Sequence, residues 1–248
     1  MTLDCARGCH LYHLTPIFMP HGKKYRAVLE KIKTNKVYTL EEAATLIKQT
    51  SPSKFDATVE VHMHLTIDPA QADQTLRSTV SLPHGTGKES RVIAFVDESH
   101  VKEAMAAGAL KAGSEDLIEE INKGWLDFDV AIAQPEMMKK LGKVARTLGQ
   151  KGLMPNPKAG TVTTDITKTI AEVKKGKVEF RNDKGANLHN AIGKVSFTEA
   201  QIKENLETYV KAIVAARPAG AKGNFIKTAS LATTMGPGIR FDILPYFK

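Results

Sequence analysis

Two cysteines, Cys5 and Cys9, are all that this chain of 248 residues contains, so no disulfide framework holds it and a reducing compartment is expected. No apolar run approaches the ~20 residues of a membrane span, and no membrane partner is expected. Also missing are the HExxH, Walker and GxSxG motifs, and the GxGxxG of a dinucleotide site. Gly85, Gly87 and Lys88 faintly suggest a phosphate loop, but Glu89 stands where Ser or Thr is needed and the spacing is wrong. The reading is therefore of a protein that is not an enzyme and needs no cofactor. Metal signals are weak as well. Cys5, Cys9, His10 and His13 invite a zinc reading, yet the adjacent Cys9 and His10 do not fit paired ligand spacing. His62 and His64 share one strand face, but no third ligand is fixed by spacing, so no metal is expected there.

Acidic residues are absent between Glu136 and Asp165, while the same stretch holds Lys139, Lys140, Lys143, Arg146, Lys151 and Lys158. Met137 to Leu148 can be a helix, whereas Gly149, Gly152, Pro155, Pro157 and Gly160 impose an extended, turning loop. A basic helix feeding a stiff basic loop suits a phosphate backbone better than a small-molecule pocket. A solvated charged face is the plainer alternative. Across the chain, 35 Lys and Arg against 27 Asp and Glu give +8 and a pI near 9.3, which favours a polyanionic partner, nucleic acid first.

With 42% hydrophobic residues, the chain can bury one large core or two modest ones. Residues 1–18 show no helical or strand period and read as an extension. Tyr25, Val28, Leu29 and Ile32 follow the i, i+3, i+4, i+7 spacing of an amphipathic helix. Thr39 and Glu42 form a capping box before Leu40, Ala43, Ala44 and Ile47. From Ala57 to Ile67 apolar and polar residues alternate strictly, which predicts a half-buried strand. Past Pro83 the pattern changes. Strand-like runs at Arg91–Val96 and Phe128–Ala133 alternate with helices ending near Gly108, spanning Ser114–Gly124 and spanning Asp165–Lys175, which implies a parallel sheet with covered faces. Strands opening at Val178 and spanning Ile192–Phe197 follow. Then comes a helix capped by Thr198 and Gln201 with the stripe Ile202, Leu206, Tyr209, Val210 and Ile213, and a last strand spans Phe225–Thr234.

The predicted architecture is thus α/β with two domains. Residues 19–84 and 177–241 form an outer domain with a largely antiparallel sheet built from both chain ends. Residues 85–176 form an inserted Rossmann-like domain, and 242–248 are a tail. Crossings near His84 and Gly176 make a plausible hinge. The insert carries 14 basic and 13 acidic residues, so most of the excess positive charge lies outside it.

Three outer segments could touch RNA. Lys54, Phe55 and Thr58 open a strand, where the ring could pack on a sugar or base or could instead fill the core. Arg181, Lys184, His189 and Lys194 occupy what reads as a polar loop between strands, equally a plain surface hairpin. Thr233, Thr234, Met235 and Gly236 join small hydroxyl residues to a glycine that lets backbone approach closely.

The loop GQKGLMPNPKAGTV, Gly149 to Val162, closely resembles the signature of the large-subunit ribosomal protein L-one family, the family of the mobile stalk. KFDATVEVHMHL, FRNDK followed by LHNAIGK, and TTMGP resemble its other segments in the same order, over roughly Met19 to Arg240. The resemblance implies an RNA-binding protein that grips the stalk region of large-subunit ribosomal RNA through Phe55, Thr234, Met235 and Gly236, with the loop bases adding contacts. It further implies passage of deacylated tRNA from the E site, repression of the protein's own messenger, a monomer when free, and a bacterial-type cytoplasmic ribosome. A Rossmann-like small-molecule enzyme and a basic scaffold for acidic protein are the competing readings.

Overall fold

The computed structural model describes residues 22–33, 36–218, 220, 221, 223–243 and 245; the zinc reading at Cys5, Cys9, His10 and His13 falls outside them. The first block holds helices α1 (Lys23–Leu29) and α2 (Leu40–Gln49), then strands β1 (Thr58–Leu65) and β2 (Arg77–Ser81). The second runs β3 (Val92–Phe95), α3 (Val101–Ala106), β4 (Lys111–Gly113), α4 (Glu115–Asn122), β5 (Val130–Ala133), α5 (Met138–Leu141), α6 (Ala145–Lys151) and α7 (Ile166–Lys174). The third returns with β6 (Lys177–Arg181), β7 (Asn187–Lys194), α8 (Glu199–Ala215), β8 (Ile226–Thr233) and β9 (Ile239–Arg240).

The first and third blocks share one core. An antiparallel sheet in the order β7-β1-β8-β9 buries Val59, Val61, Met63 and Leu65 of β1 in the same cluster as Ile47 of α2 and Ile202, Leu206, Tyr209 and Val210 of α8. Both helices start at capping boxes, Thr39 with Glu42 and Thr198 with Gln201, which satisfy amides that the first turn leaves orphaned. A separate ribbon pairs β2 with β6. The middle block is a parallel sheet, β4-β3-β5. Alternation splits β3 between two faces: Ile93 and Phe95 pack with Leu117, Ile121, Leu141 and Leu148, and Val92 and Ala94 with Ile166, Ile170 and Val173. A strand covered on both faces reads as a continuous apolar run.

Several expectations need correction. The expected stripe is only partly covered: Ile32, past the end of α1, is buried, Tyr25 and Val28 are half-buried, and Leu29 is exposed. The basic helix is two helices, broken at Gly142–Val144, and its second half runs through Gly149 to Lys151. Gly149 merely lowers helix propensity, whereas Gly152 at φ +71° ends the helix in the left-handed region. Strand β7 begins at Asn187 and ends at Lys194, earlier at both ends than Ile192–Phe197. Ile243, within the expected tail of 242–248, belongs to the outer core beside Phe241.

The chain crosses between blocks twice, at one place. Asn205 of α8 is fully buried; its amide nitrogen donates to Gly85 O (2.9 Å) and Ile192 O (2.8 Å), and its oxygen accepts from His84 N (3.1 Å). One side chain therefore ties the outgoing crossing to the outer core. The returning crossing passes against it: Leu82 N donates to Gly176 O, and Gly176 at φ +102° lies so close to Gly85 that an added Cβ would overlap its Cα.

Lys88 and Arg91, just past the crossing, converge on Asp129. Lys88 Nζ donates to Oδ1 at 2.8 Å, and Arg91 donates to Oδ2 through its backbone and Nε. Lys88 is thereby spent on a carboxylate rather than poised for a nucleotide. The Lys88 hydrogen bond, then those from Arg91, hold the Asp129 pKa down to about 2. A pKa depressed on folding stabilises above the unfolded value, and the contribution disappears as pH falls from about 4 toward 2. Thermal melts from pH 6 to pH 2 should show Asp129→Asn melting below the parent at pH 6, with the gap closing as the acid limit is reached.

Candidate nucleic-acid interface

Strand register brings part of the expected set together at one end of the antiparallel sheet. Thr58 pairs with Lys194 on β7, and Val59 with Thr233 on β8, so the segments before β1 and after β8 leave the sheet side by side. Phe55 and Met235 stand there at 59% and 61% exposure, the two most exposed large apolar side chains among the described residues. The core alternative for Phe55 is thus excluded. Lys54 is exposed beside it. Asp56 turns the chain: its carboxylate accepts from Ser196 N and Oγ, both at 3.0 Å, and lies 3.8 Å from Lys194 Nζ.

The two threonines have different tasks. Thr234 Oγ1 accepts from Thr58 N at 3.1 Å, and Thr234 N donates to Thr58 O at 3.1 Å, which locks the two strand ends together while Thr234 remains exposed. Thr233 is only 3% exposed, and its hydroxyl has no hydrogen-bond partner among the described residues. This corrects its expected place on the surface: period-2 alternation turns its side chain to the interior. Gly236 is required by that packing. An added Cβ would overlap Thr233 Oγ1 and come 3.0 Å from Thr50 O, while Gly236 N donates to Thr233 O at 2.9 Å.

Arg181, Lys184 and His189 are not gathered at this end. Arg181 ends β6 in the β2–β6 ribbon, opposite Arg77. Lys184 is on the turn between β6 and β7, exposed. His189 and Lys194 lie within β7 rather than in a loop, a correction that follows from the earlier start of β7. The turn is organised by Asp183, which accepts from Gly185 N (2.8 Å) and Asn187 N (2.6 Å); these bonds, Asn187 first, lower its pKa. Six residues of β1 at ~3.4 Å each put this end roughly 20 Å from Thr58. Between the two ends runs an open polar face: Thr58, Glu60, His62 and His64 on β1, His189 and Asn187 on β7, and Ser230 and Thr228 on β8. The alternation of β1 announced its own polar residues; Thr228 and Ser230 were missed because only pairing places them beside it.

The second basic set is coherent. Met137, Leu141, Val144 and Leu148 face the core of the insert, and Lys139, Lys140, Lys143, Arg146, Lys151 and Lys158 are all exposed. Lys140 pairs with Glu115 at 3.3 Å; the other five make no ion pair with a described residue. The loop that follows is built, not slack. Asn156 Oδ1 accepts from Lys158 N, Thr161 Oγ1 accepts from Asn156 N (both 2.8 Å), and Gly160 takes φ +62°. Ala133 N then donates to Thr161 O at 3.0 Å, pinning the loop to the edge of β5.

No described helix is long and apolar enough to cross a membrane. The sequence profile of the ribosomal protein L1p/L10e family matches residues 47–237. Similar curated proteins include the large ribosomal subunit protein uL1 of Chloroflexus aggregans, 54% identical over 227 residues that cover 90% of this chain and 96% of that one. The protein of the same name from Lactobacillus delbrueckii subsp. bulgaricus is 52% identical over 222 residues, covering 90% and 96%. That of Salinispora tropica is 51% identical over 224 residues, covering 90% and 94%.

Proposed function

This chain belongs to the ribosomal protein L1p/L10e family, and from that premise we propose that it is a structural constituent of the large subunit of a cytoplasmic ribosome, binding the stalk region of large-subunit ribosomal RNA. The outer domain, residues 19–84 and 177–241, is the gripping unit, and the insert of residues 85–176 adds phosphate contacts through its basic helices and loop. The reading includes contact with deacylated tRNA leaving the E site and binding of the protein's own messenger as a translational repressor. It includes no catalysis.

One observation carries it: two exposed apolar side chains, Phe55 and Met235, flank a corner locked by the Thr58–Thr234 bonds and edged by Lys54 and Lys194. A rigid corner of that composition supports recognition by stacking, hydroxyls and shape, the way folded RNA is recognised. Lysines at its rim supply the sequence-independent attraction to phosphate.

Binding to the stalk fragment of large-subunit ribosomal RNA, titrated across a salt series, tests the reading. Thr234→Val removes the hydroxyl that holds Thr58 N and should weaken binding roughly tenfold, the effect of about 1.4 kcal/mol, with little change in salt slope. Thr234→Ser should restore most of it. Thr233→Val, which replaces a buried hydroxyl lacking a partner with an isostere, should leave affinity near that of the parent. Binding that is salt-fragile and indifferent to RNA identity in every variant would leave charge alone responsible and remove the mechanism.

A further inference from the structure

On the open sheet face, His62 of β1 is paired not with His64, its neighbour in sequence, but with His189 of β7, directly across the strands. The two Nδ1 atoms are 2.9 Å apart, and the ring centroids 5.0 Å apart with the planes at 60°. The outer nitrogens each face a carboxylate: His62 Nε2 lies 3.9 Å from Glu60 Oε2, and His189 Nε2 lies 3.8 Å from Asp183 Oδ2. Asp183 is itself fixed by Gly185 N and Asn187 N. Two imidazoles with converging nitrogens can hold a metal at two points, and the carboxylates behind them, outside hydrogen-bond reach at 3.8–3.9 Å, need only a small side-chain movement to accept the outer ring N–H groups.

We propose that His62 and His189 form a cross-strand chelate for a late first-row divalent cation of tetragonal or octahedral preference, nickel(II) or copper(II). Metal–imidazole bonds of about 2.0–2.1 Å place two nitrogens roughly 2.9 Å apart when they are cis at a right angle, but about 3.3–3.4 Å apart in a tetrahedron. The hydrogen-bonded pair already stands at 2.9 Å, so a right-angle chelate, which these two metals adopt, needs the rings to turn but the strands hardly to move, whereas a tetrahedral one needs them to part. Without metal, one Nδ1–H donates to the other Nδ1. With metal, both Nδ1 atoms use their lone pairs as ligands, and the protons reside on Nε2 facing Glu60 and Asp183. Among the described residues no group of three His, Cys, Asp or Glu side chains could hold a metal, so water completes the coordination and the site is a two-point one, open to exchange. His64 does not join, because its Nδ1 is taken by Asn187 Oδ1 at 2.9 Å.

The test is calorimetric titration of the full chain with nickel chloride at pH 7.5. His62→Ala and His189→Ala should each lose at least tenfold in affinity for one equivalent, His64→Ala should change it less than threefold, and zinc should bind this pair more weakly than nickel. The N-terminal Cys5, Cys9, His10 and His13 supply competing ligands, so a second readout fixes the location. In histidine-labelled protein, substoichiometric nickel should broaden the His62 and His189 ring resonances together, ahead of His84 and His100. Unchanged titrations in the His62→Ala/His189→Ala double variant, or broadening that starts at other histidines, would overturn the proposal.

Discussion

Gly176→Ala should destabilise the protein by about 2–5 kcal/mol, read as a lower midpoint in urea. The figure joins two effects, a left-handed backbone cost of roughly 1–2 kcal/mol and overpacking of roughly 1–3 kcal/mol. Gly176 has φ +102°, and its Cβ would overlap Gly85 Cα and approach Thr86 N to 3.3 Å. Backbone meets backbone, so no flexible side chain can yield. Gly124→Ala separates the two effects, because Gly124 has φ +100° but nothing within 4 Å of an added Cβ; it should cost only about 1–2 kcal/mol. If the two variants lose equal stability, the crossing is looser than its geometry implies. Because Asn205 clamps His84 and Gly85 to the outer core, the strain at Gly176 cannot be relieved by moving the outgoing crossing alone.

The Phe55→Ala/Met235→Ala double variant should bind the stalk RNA roughly a hundredfold or more weakly, with its slope against salt unchanged. Stacking on an aromatic ring contributes roughly 1–3 kcal/mol per base, and Met235 adds apolar contact at the same corner. Since both side chains are exposed in the free protein, truncation leaves no cavity, and the melting temperature should hold within a degree or two. Charge removal should behave in the opposite way. Lys143→Ala/Arg146→Ala/Lys151→Ala deletes three cations that have no carboxylate partner among the described residues and should flatten the salt slope by about 2–3, at roughly 0.7–0.9 per phosphate. A double variant that changes the slope as much as the affinity would count against stacking at Phe55.

Much of this was legible because the signals are local. The capping box at Thr39 and Glu42, the alternation through β1, the stripe of α8 and the apolar run of β3 each lie within one or two turns or one strand, so propensity and period suffice to read them. The exposed corner was half legible: the family resemblance singled out Phe55, Thr234, Met235 and Gly236, but nothing in the string said that Phe55 is outside the core or that Thr233 is within it. The start of β7, the β2–β6 ribbon and strand β4 were missed or displaced, because short strands carry little period of their own and are stabilised by the partners they pair with. Ile243 was overlooked for the same reason, since what buries it comes from elsewhere in the chain.

By itself the sequence determined the excess of positive charge, the two-domain α/β class, the antiparallel and parallel sheets, and the charged run from Lys139 to Lys158, since charge, period and turn residues act over short spans. Only the tertiary structure decided that Thr58 meets Thr234, that Gly85 lies against Gly176, and that His62, 127 residues from His189, faces it rather than His64. Those pairings are choices of register and crossing, and a one-residue slip would turn every side chain of a strand to the opposite face. They are settled by burying Val59, Val61, Met63 and Leu65 against α2 and α8, a condition on the whole core that no single segment contains.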